Sequence, residues 1–250
     1  MTDLSFLHLT DPHLHPDHPV RAERLAAALA DAVALDVDFV AITGDLTDDG
    51  DIPSYSVLRD LLEECPVPVL TCLGNHDNAE NFATVMPDRA RAWRVAEVAG
   101  VRLVFLDTLV AGRTGGALDA GLLSEVAAHL AEPSLLFLHH PPDMDGTGPA
   151  WDRLDPASTA ALAELLPQIA GVFCGHAHLD RVTIWQGVPV FAHAGLSSAI
   201  DPRETTLLRV TEGAGYTIVR WQGGALSVTN VALHPARPHI IDVALERLRP

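Results

Sequence analysis

Five short clusters of aspartate, asparagine and histidine recur along the first 178 residues, each directly after an apolar run. They are Asp11-Pro12-His13, Gly44-Asp45, Gly74-Asn75-His76-Asp77, His139-His140 and Gly175-His176-Ala177-His178. Carboxylate, carboxamide and imidazole groups bind hard to borderline divalent metal ions. Because five separate stretches supply such groups, the pattern predicts a site that holds more than one ion.

Asp45 is the best candidate for a ligand that two ions share. Two ions about 3.5–4 Å apart need a bridging oxygen ligand, and Asp45 stands alone behind Gly44, which permits close approach. His176 and His178 are two residues apart in an extended turn, so they would point in similar directions toward adjacent ions. A water molecule between two cations is largely hydroxide near neutral pH, which supplies a nucleophile without serine or cysteine.

The elements that must position these clusters are five apolar runs with the character of buried strands. They cover residues 4–10, 38–43, 67–73, 134–138 and 169–174. Helical spacing of apolar residues predicts a helix over each of the ranges 22–34, 55–62, 119–131 and 155–166, with a short helix after Asp77. Because strand exits meet at one edge of a layered α/β fold, we expect the five loops to converge on one site.

The remaining pattern is dominated by strands. Residues 93–98 and 101–107 predict an antiparallel pair joined at Gly100, so the sheet is mixed. Further strands are predicted over residues 182–185, 188–192, 205–210, 216–221 and 225–231. Helix-covered strands followed by consecutive strands predict an α/β fold in which two mixed sheets pack together with helices outside, a four-layer α/β/β/α sandwich. We expect one domain over residues 1–250.

Three further histidines and two serines lie near the clusters. His8 is inside the first predicted strand, as is typical of a core histidine with satisfied hydrogen bonds, and His15 and His18 lie in a proline-rich loop. The sequence over residues 195–198, Gly-Leu-Ser-Ser, lacks the Gly-x-Ser-x-Gly spacing of a nucleophile elbow. The pattern therefore does not favour a serine hydrolase.

An acidic run follows the second cluster. Asp48, Asp49 and Asp51 surround Gly50, and such a run is typical of a solvated turn. Asp51 is predicted to cap the next helix. None of the three is predicted to be a metal ligand.

The net charge of the chain indicates which kinds of partner it can bind. The formal net charge is −17, from 33 acidic residues against 16 basic ones, and every basic residue is an arginine. Nucleic-acid binding needs a basic stripe that displaces counterions, and none is present in the sequence, so a long DNA or RNA partner is not expected. A small phosphorylated substrate remains compatible with the charge if bound metal ions reverse its local sign.

The cysteines and the lengths of the apolar runs indicate the cellular compartment of the protein. Cys65, Cys72 and Cys174 are odd in number and lack metal-ligand spacing, which predicts buried thiols in a reducing compartment. The amino terminus has no basic and apolar signal pattern, and no apolar run approaches the roughly 20 residues of a membrane span. These features predict a soluble, cytoplasmic protein that does not contact a membrane.

The five motifs, in this order, resemble those of the calcineurin-like metallophosphoesterase family. The resemblance spans residues 11–178. It implies one ion held by Asp11, His13, Asp45 and His178, and a second held by Asp45, Asn75, His139 and His176. It also implies that His76 contacts the phosphate and assists the leaving group, with Asp77 orienting His76. His139 and His140 both satisfy the His-x-Pro spacing, so the choice between them stays open.

Within that family, the sequence over residues 135–195 looks most like that of the class III cyclic-nucleotide phosphodiesterases. This implies a phosphodiesterase with two divalent ions, iron or manganese and alternatively zinc, that acts on a 3',5'-cyclic nucleotide. A hydrolase of linear phosphodiesters or phosphomonoesters is the alternative, and a non-catalytic scaffold of the same fold is a second one. Specificity is expected in the loop 142–154 and around residues 78–94. A homodimer is expected because the strand-rich tail must cover its edges.

Overall fold

Two mixed sheets form the centre of the computed structural model, which describes residues 3–130, 133–144, 153–203, 206 and 208–235. The strands in chain order are β1 (Leu4–Leu9), β2 (Phe39–Thr43), β3 (Val69–Cys72), β4 (Trp93–Val98), β5 (Val101–Leu106), β6 (Ser134–Leu138), β7 (Ile169–Cys174), β8 (Arg181–Trp185), β9 (Val188–Ala192), β10 (Ala199–Ile200), β11 (Val210–Thr211), β12 (Ala214–Gln222) and β13 (Ala225–His234). The helices are α1 (Pro19–Ala34), α2 (Ile52–Glu64), α3 (Ala79–Val85), α4 (Ala120–Ala127) and α5 (Pro156–Ala163).

The first sheet has the spatial order β13-β12-β1-β2-β3, and the second has the order β4-β5-β6-β7-β9-β8. In the first sheet β1, β2 and β3 are parallel, whereas β12 and β13 are antiparallel additions from the end of the described chain. In the second sheet the four central strands are parallel and the edge strands β4 and β8 are antiparallel. The expected antiparallel pair over residues 93–107 is confirmed.

Successive side chains of the central strands are buried on opposite faces of each sheet, so each sheet packs against a layer on both sides. One side of the first sheet packs on α1, α2 and α3, and one side of the second sheet packs on α4 and α5. The facing sides of the two sheets enclose an aromatic core of Phe6, Phe39, Phe105, Phe137 and Phe173. The predicted four-layer α/β/β/α sandwich is therefore confirmed.

Local signals explain where the helices begin and end. Asp51 accepts a hydrogen bond from the main-chain nitrogen of Ser54 at 2.9 Å, so the predicted cap of α2 is confirmed. The helix predicted to reach residue 166 instead ends at Ala163 and is followed by a 3-10 turn over Leu166–Gln168. Pro167 lacks the N–H that a continuing helix would need.

Two expectations fall partly on residues outside the described ranges. The predicted strand 205–210 includes residues 205 and 207, which are not described, and only Val210 of its described residues lies in a strand, β11. The expected specificity loop 142–154 includes residues 145–152, which are also not described. Strand β10, which pairs with β11, was not predicted, because two residues are too few to show a period.

Candidate metal centre

All five polar clusters meet at the carboxyl-terminal edge of the parallel strands. Main-chain hydrogen bonds tie their loops together: Asp11 donates to the carbonyl of Gly44, His13 to that of Asp45 and Gly175 to that of His139, at 2.9–3.1 Å. The first of these bonds joins the loops after β1 and β2, and the last joins the loops after β6 and β7. The structure therefore brings the predicted residues to one place.

Five non-glycine residues of these loops have a left-handed backbone. They are Asp11 (φ 51°), His13 (φ 45°), Asp45 (φ 47°), His176 (φ 67°) and His178 (φ 48°). Such conformations are uncommon without glycine and cost of order 1–3 kcal/mol each. They persist where the surroundings fix them, and they cluster at sites where side chains must be aimed.

Gly44 allows the loop after β2 to pass under His139. Its φ is +83°, and a Cβ atom at this position would lie 2.5 Å from Nδ1 of His139. Any larger residue would displace the imidazole ring. The close approach expected from the Gly44-Asp45 pair is therefore present.

Asp45 lies between two imidazole rings. Its Oδ2 is 3.4 Å from Nε2 of His13, and its Oδ1 is 3.3 Å from Nε2 of His139. The main-chain nitrogen of His76 donates to Oδ1 at 2.9 Å. Each carboxylate oxygen thus faces a different candidate ligand, which is the arrangement that a bridging carboxylate needs.

Asp11 is buried in the same cluster. It accepts hydrogen bonds from the Thr10 hydroxyl at 2.6 Å and from the main-chain nitrogen of His176 at 3.0 Å. Its Oδ1 lies 3.3 Å from Nε2 of His178, whose Nδ1 donates to the carbonyl of Ser198 at 2.9 Å. Burial opposes ionisation of Asp11, but the adjacent His178 ring outweighs it and lowers the pKa of the carboxyl below its usual value.

The structure distinguishes His139 from His140. His139 donates from Nδ1 to the carbonyl of Thr43 at 2.8 Å, and its Nε2 lies 3.2 Å from Oδ1 of Asn75. His140 uses both ring nitrogens elsewhere, Nδ1 with the Thr108 hydroxyl at 2.7 Å and Nε2 with the Thr114 carbonyl at 2.9 Å. His139 is therefore the ring whose Nε2 is turned toward Asp45.

The expected role of Asp77 needs correction. Its carboxylate accepts hydrogen bonds from the main-chain nitrogens of Leu46 and Gly74 at 3.1 and 2.9 Å, so it ties the loops after β2 and β3 together. Nδ1 of His76 instead lies 2.8 Å from the carbonyl oxygen of Asp48. Asp77 does not orient the His76 ring, because its carboxylate points inward. Burial, with a contribution from Asp45, raises the pKa of Asp77 to about 6.

Asp48 is the residue that the sequence pattern assigned wrongly to a solvated turn. Its Oδ1 lies 3.0 Å from Nδ1 of His13, and its Oδ2 accepts from Arg21 at 2.8 Å. Asp49 beside it is exposed, as expected, with Oδ2 at 3.4 Å from Nε2 of His15. The only available signal for Asp48 was its position three residues after Asp45.

His8 conforms to the core interpretation. It is buried in β1, and its Nε2 lies 2.9 Å from the hydroxyl of Thr43. Burial, aided by the nearby His193 ring, lowers the pKa of His8 to about 3. The ring of His18 lies 5.6 Å from that of His15, and neither residue lines the cavity described below.

The described side chains fit divalent metal ions. Ligand atoms lie within 4.8 Å of one another in several groups, among them Asp11 with His13 and His178, and Asp11 with Asp45 and His139. Nε2 of His13 is buried and has no hydrogen-bond partner among the described residues. A buried nitrogen that faces two carboxylates without a hydrogen bond is chemically suited to metal ligation.

A cavity of about 380 Å³ opens in front of this cluster. Its lining includes polar side chains of the cluster, which are His13, Asp45, Asp48, Asn75, His76, His176 and His178. Ile200, Leu208 and Val210 form the apolar part of the lining, here called the apolar wall, and Arg21, Thr114, Ser197 and Ser198 complete it. The cavity therefore combines candidate metal ligands with an apolar wall.

Comparison with known proteins identifies the family. A model of the calcineurin-like phosphoesterases matches residues 4–180. The chain is 33% identical over 196 residues to a probable cyclic nucleotide phosphodiesterase of Rhodopseudomonas palustris, covering 72% of this chain and 71% of that protein. It is 30% identical over 182 residues to a probable glycerophosphodiester phosphodiesterase of Arcobacter nitrofigilis, covering 67% of each. A dimetal phosphatase from Danio rerio superposes with a TM-score of 0.70 at 13% identity, covering 92% of this chain and 96% of that one.

The fold and the cluster at its edge thus define a metal-dependent hydrolase of phosphate esters. The chain belongs to the calcineurin-like phosphoesterase family. The predicted family, fold and enzyme class, a phosphodiester hydrolase, are confirmed. Among the described residues no helix is long and apolar enough to cross a membrane.

Proposed function

We propose that this protein is a phosphodiesterase with two divalent metal ions and that its substrate is a 3',5'-cyclic nucleotide. The observation that carries the proposal is the position of Asp45, with one oxygen facing His13 and the other facing His139, in the lining of a cavity that also has an apolar wall. The names of relatives such as the Rhodopseudomonas protein support the same substrate class.

The chain's own residues divide into two ligand sets that share one member. Asp11, His13, Asp45 and His178 would hold one ion, and Asp45, Asn75, His139 and His176 would hold the other. When bound, two divalent ions supply an activated water nucleophile and offset the charge on the phosphoryl oxygens. Imidazole and carboxylate ligands suit iron and manganese, with zinc as the alternative.

His76 is proposed as the proton donor to the leaving oxygen. It lines the cavity, and its side chain is 43% exposed, so a substrate can reach it. Because Nδ1 is engaged by the Asp48 carbonyl, Nε2 is the nitrogen available to the substrate. Opening a cyclic phosphodiester releases a ribose alkoxide, which needs a proton as its bond to phosphorus breaks.

The apolar wall favours a nucleotide over a glycerophosphodiester. Leu208 and Val210 are each about three-fifths exposed, yet both face the cavity. A planar base would cover them, whereas a glycerol group would leave them in water. A cavity of about 380 Å³ also lies near the lower end of the roughly 300–1,000 Å³ range for small-molecule sites, which suits one nucleotide.

Two alternatives have specific support and specific tests. A linear glycerophosphodiester is supported by the relative from Arcobacter. A non-catalytic scaffold would retain the fold without turnover, but every predicted ligand is present in this chain. A cytoplasmic location and a homodimer also remain proposals. The homodimer has its clearest support in β8, an edge strand with Val182 and Ile184 exposed.

A substrate panel tests the proposal. Cyclic AMP, cyclic GMP, glycerophosphocholine and simple monoesters are each assayed with manganese, iron and zinc, before and after chelation. We expect the highest kcat/KM for a cyclic nucleotide, loss of turnover on chelation and its return with added metal. Preference for glycerophosphocholine would establish the linear alternative. Absence of bound metal and of hydrolysis of bis(p-nitrophenyl) phosphate would establish the scaffold.

A further inference from the structure

Asp48 contacts both the candidate metal ligand His13 and the proposed proton donor His76. Its carboxylate Oδ1 lies 3.0 Å from Nδ1 of His13, and its main-chain carbonyl oxygen lies 2.8 Å from Nδ1 of His76. We propose that Asp48 is a positioning residue that sets the orientation and the protonated nitrogen of the His13 ring, and that Arg21 holds it in place. The inference rests on the proposed function for the role of His13 as a metal ligand.

The hydrogen bond to His13 determines which nitrogen of that ring carries its proton. A carboxylate only accepts hydrogen bonds, so Nδ1 of His13 must carry the hydrogen. Nε2 then presents its lone pair, and this atom lies 3.4 Å from Oδ2 of Asp45 and 3.9 Å from Oδ1 of Asp11. Metal-binding histidines commonly have such a carboxylate on their other nitrogen, and its loss typically costs 10–100-fold in metal affinity.

Arg21 connects the carboxylate of Asp48 to the main chain of His13. One guanidinium nitrogen of Arg21 lies 2.8 Å from Oδ2 of Asp48 and 2.7 Å from the carbonyl oxygen of His13. His13 has a left-handed backbone, with φ of 45°. Arg21 therefore holds both the carboxylate of Asp48 and the uncommon backbone conformation of His13 in place.

The loops that carry Asp48 and His13 are also joined directly. The main-chain nitrogen of Asp48 donates to the carbonyl of Leu14 at 3.0 Å, and that of Leu14 donates to the carbonyl of Leu46 at 3.1 Å. These bonds do not depend on the side chain of Asp48. A substitution of that side chain is therefore expected to leave the loop in place and to remove only the restraint on the His13 ring.

Main-chain and side-chain contacts of Asp48 can be separated by substitution. Asp48→Ala removes the acceptor for His13 and a carboxylate oxygen that lies 3.9 Å from Nδ1 of His76, but it retains the carbonyl that accepts from that nitrogen. Asp48→Asn retains an oxygen that can accept from Nδ1. Asp49→Ala is the matched control, since it removes the same charge from an adjacent, exposed side chain that lies near His15 instead.

The first measurement is independent of metal and of activity. Two-bond ¹H–¹⁵N spectra of the metal-free protein report which nitrogen of each histidine is protonated, and His13→Gln assigns the His13 signal. We expect His13 to be protonated at Nδ1 in the wild type, Asp48→Asn and Asp49→Ala, and to lose this preference in Asp48→Ala. His76 should stay protonated at Nδ1 in all of these variants, because its acceptor there is a main-chain carbonyl.

The second measurement is the affinity for Mn²⁺, by competition with a chelator. In Asp48→Ala we expect one of the two ions to bind about 10–100-fold more weakly while the other is unchanged. Asp48→Asn should recover most of the affinity, and Asp49→Ala should match the wild type. Arg21→Met should weaken the same ion by less, and it serves as the test variant if circular dichroism shows that Asp48→Ala does not fold.

Two results would overturn the inference. One is identical behaviour of Asp48→Ala and Asp49→Ala in both measurements. The other is equal weakening by Asp48→Asn and Asp48→Ala, which would indicate an effect of charge and not of a hydrogen bond. Failure of the wild type to hydrolyse any phosphodiester would refute the proposed function, but it would leave the protonation of His13 to be decided by the spectra.

Discussion

The hydroxyl of Tyr55 donates a hydrogen bond to Oδ1 of Asp77 at 3.0 Å, beneath the candidate metal centre. The same hydroxyl accepts from the main-chain nitrogen of Asn78 at 2.8 Å, and Tyr55 is fully buried. Since Asp77 also accepts from Leu46 and Gly74, α2 supports the two loops that carry Asp45 and Asn75. The support comes from a helix that contributes no candidate ligand.

Tyr55→Phe should weaken both the fold and the metal centre. It leaves a buried carboxylate and a main-chain nitrogen each short of a partner, which costs about 1–3 kcal/mol in the free energy of unfolding. Urea unfolding and metal titration check this. Tyr216→Phe is the control, because its hydroxyl donates to Asp31 at 2.8 Å away from the cavity. Unchanged metal affinity in Tyr55→Phe, matching Tyr216→Phe, would show that the support is only structural.

His76→Ala should retain both ions and lose activity selectively. A ribose alkoxide needs a proton as it leaves, whereas a nitrophenolate does not, so the loss should be larger for a cyclic nucleotide than for bis(p-nitrophenyl) phosphate. The differential should be on the order of 10²–10⁴-fold, the usual range for a positioned acid or base. Parallel kinetics on the two substrates measure it, with His15→Ala as the control. Equal losses would mean that His76 stabilises charge on the phosphoryl oxygens, and loss of an ion would make it a ligand.

Asp107 should make stability depend on pH. Burial raises the pKa of Asp107 to about 7, and its Oδ1 accepts from the main-chain nitrogen of Leu73 at 2.7 Å. An unfolded chain ionises this carboxyl near pH ~4. Between that pH and about 7 the native state binds the proton that the unfolded state releases, so the free energy of unfolding falls as pH rises through this window.

Asp107→Asn removes this titration and retains the acceptor oxygen. Relative to the wild type, the variant should gain stability from pH ~4 to ~7 and level off above, by on the order of 1–3 kcal/mol. Urea unfolding at several pH values measures the difference, with the exposed Asp60→Asn as the control. If the free energies of unfolding of the wild type and of Asp107→Asn changed with pH in the same way, the prediction would be contradicted.

The apolar wall should act on substrate binding more than on turnover. Leu208→Ser and Val210→Ser should each raise KM for a cyclic nucleotide by about 5–10-fold, since each removes apolar surface that a base would cover. The kcat should change little, and so should the kinetics of glycerophosphocholine, which has no ring. Val33→Ser and Leu35→Ser are the controls, because both side chains are exposed apolar groups outside the cavity. If the wall variants and the control variants changed KM to a similar extent, the base would not bind against the apolar wall.

The parts of the site that could be predicted from the sequence are those where one local signal sufficed. Each cluster follows an apolar run that forms a parallel strand, so the exit of the strand determines where the cluster lies. His139 and His140 could not be separated in this way, because both precede a proline two residues later. Thr108 and Thr114, which form hydrogen bonds with the two ring nitrogens of His140, lie in a distant part of the chain.

Asp48 and Asp77 were misjudged for a related reason. An acidic run beside glycine is usually solvated, and only the packing of α1 brings Arg21 onto Asp48. Asp77 is next to His76 in sequence, yet its carboxylate is directed inward by Tyr55 on α2. Both roles depend on tertiary contacts that no local pattern contains. That a single domain spans residues 1–250 stays a prediction.

Metal titration of the wild type and of Asp45→Asn tests the central claim most directly. If the carboxylate of Asp45 is shared by two ions, the wild type should bind two Mn²⁺ per chain, and the variant should bind both more weakly, because one shared charge is lost. Asp49→Asn should behave as the wild type, since it changes the same charge outside the cluster. Binding of a single ion by the wild type, or of two ions with unchanged affinity by Asp45→Asn, would contradict the account.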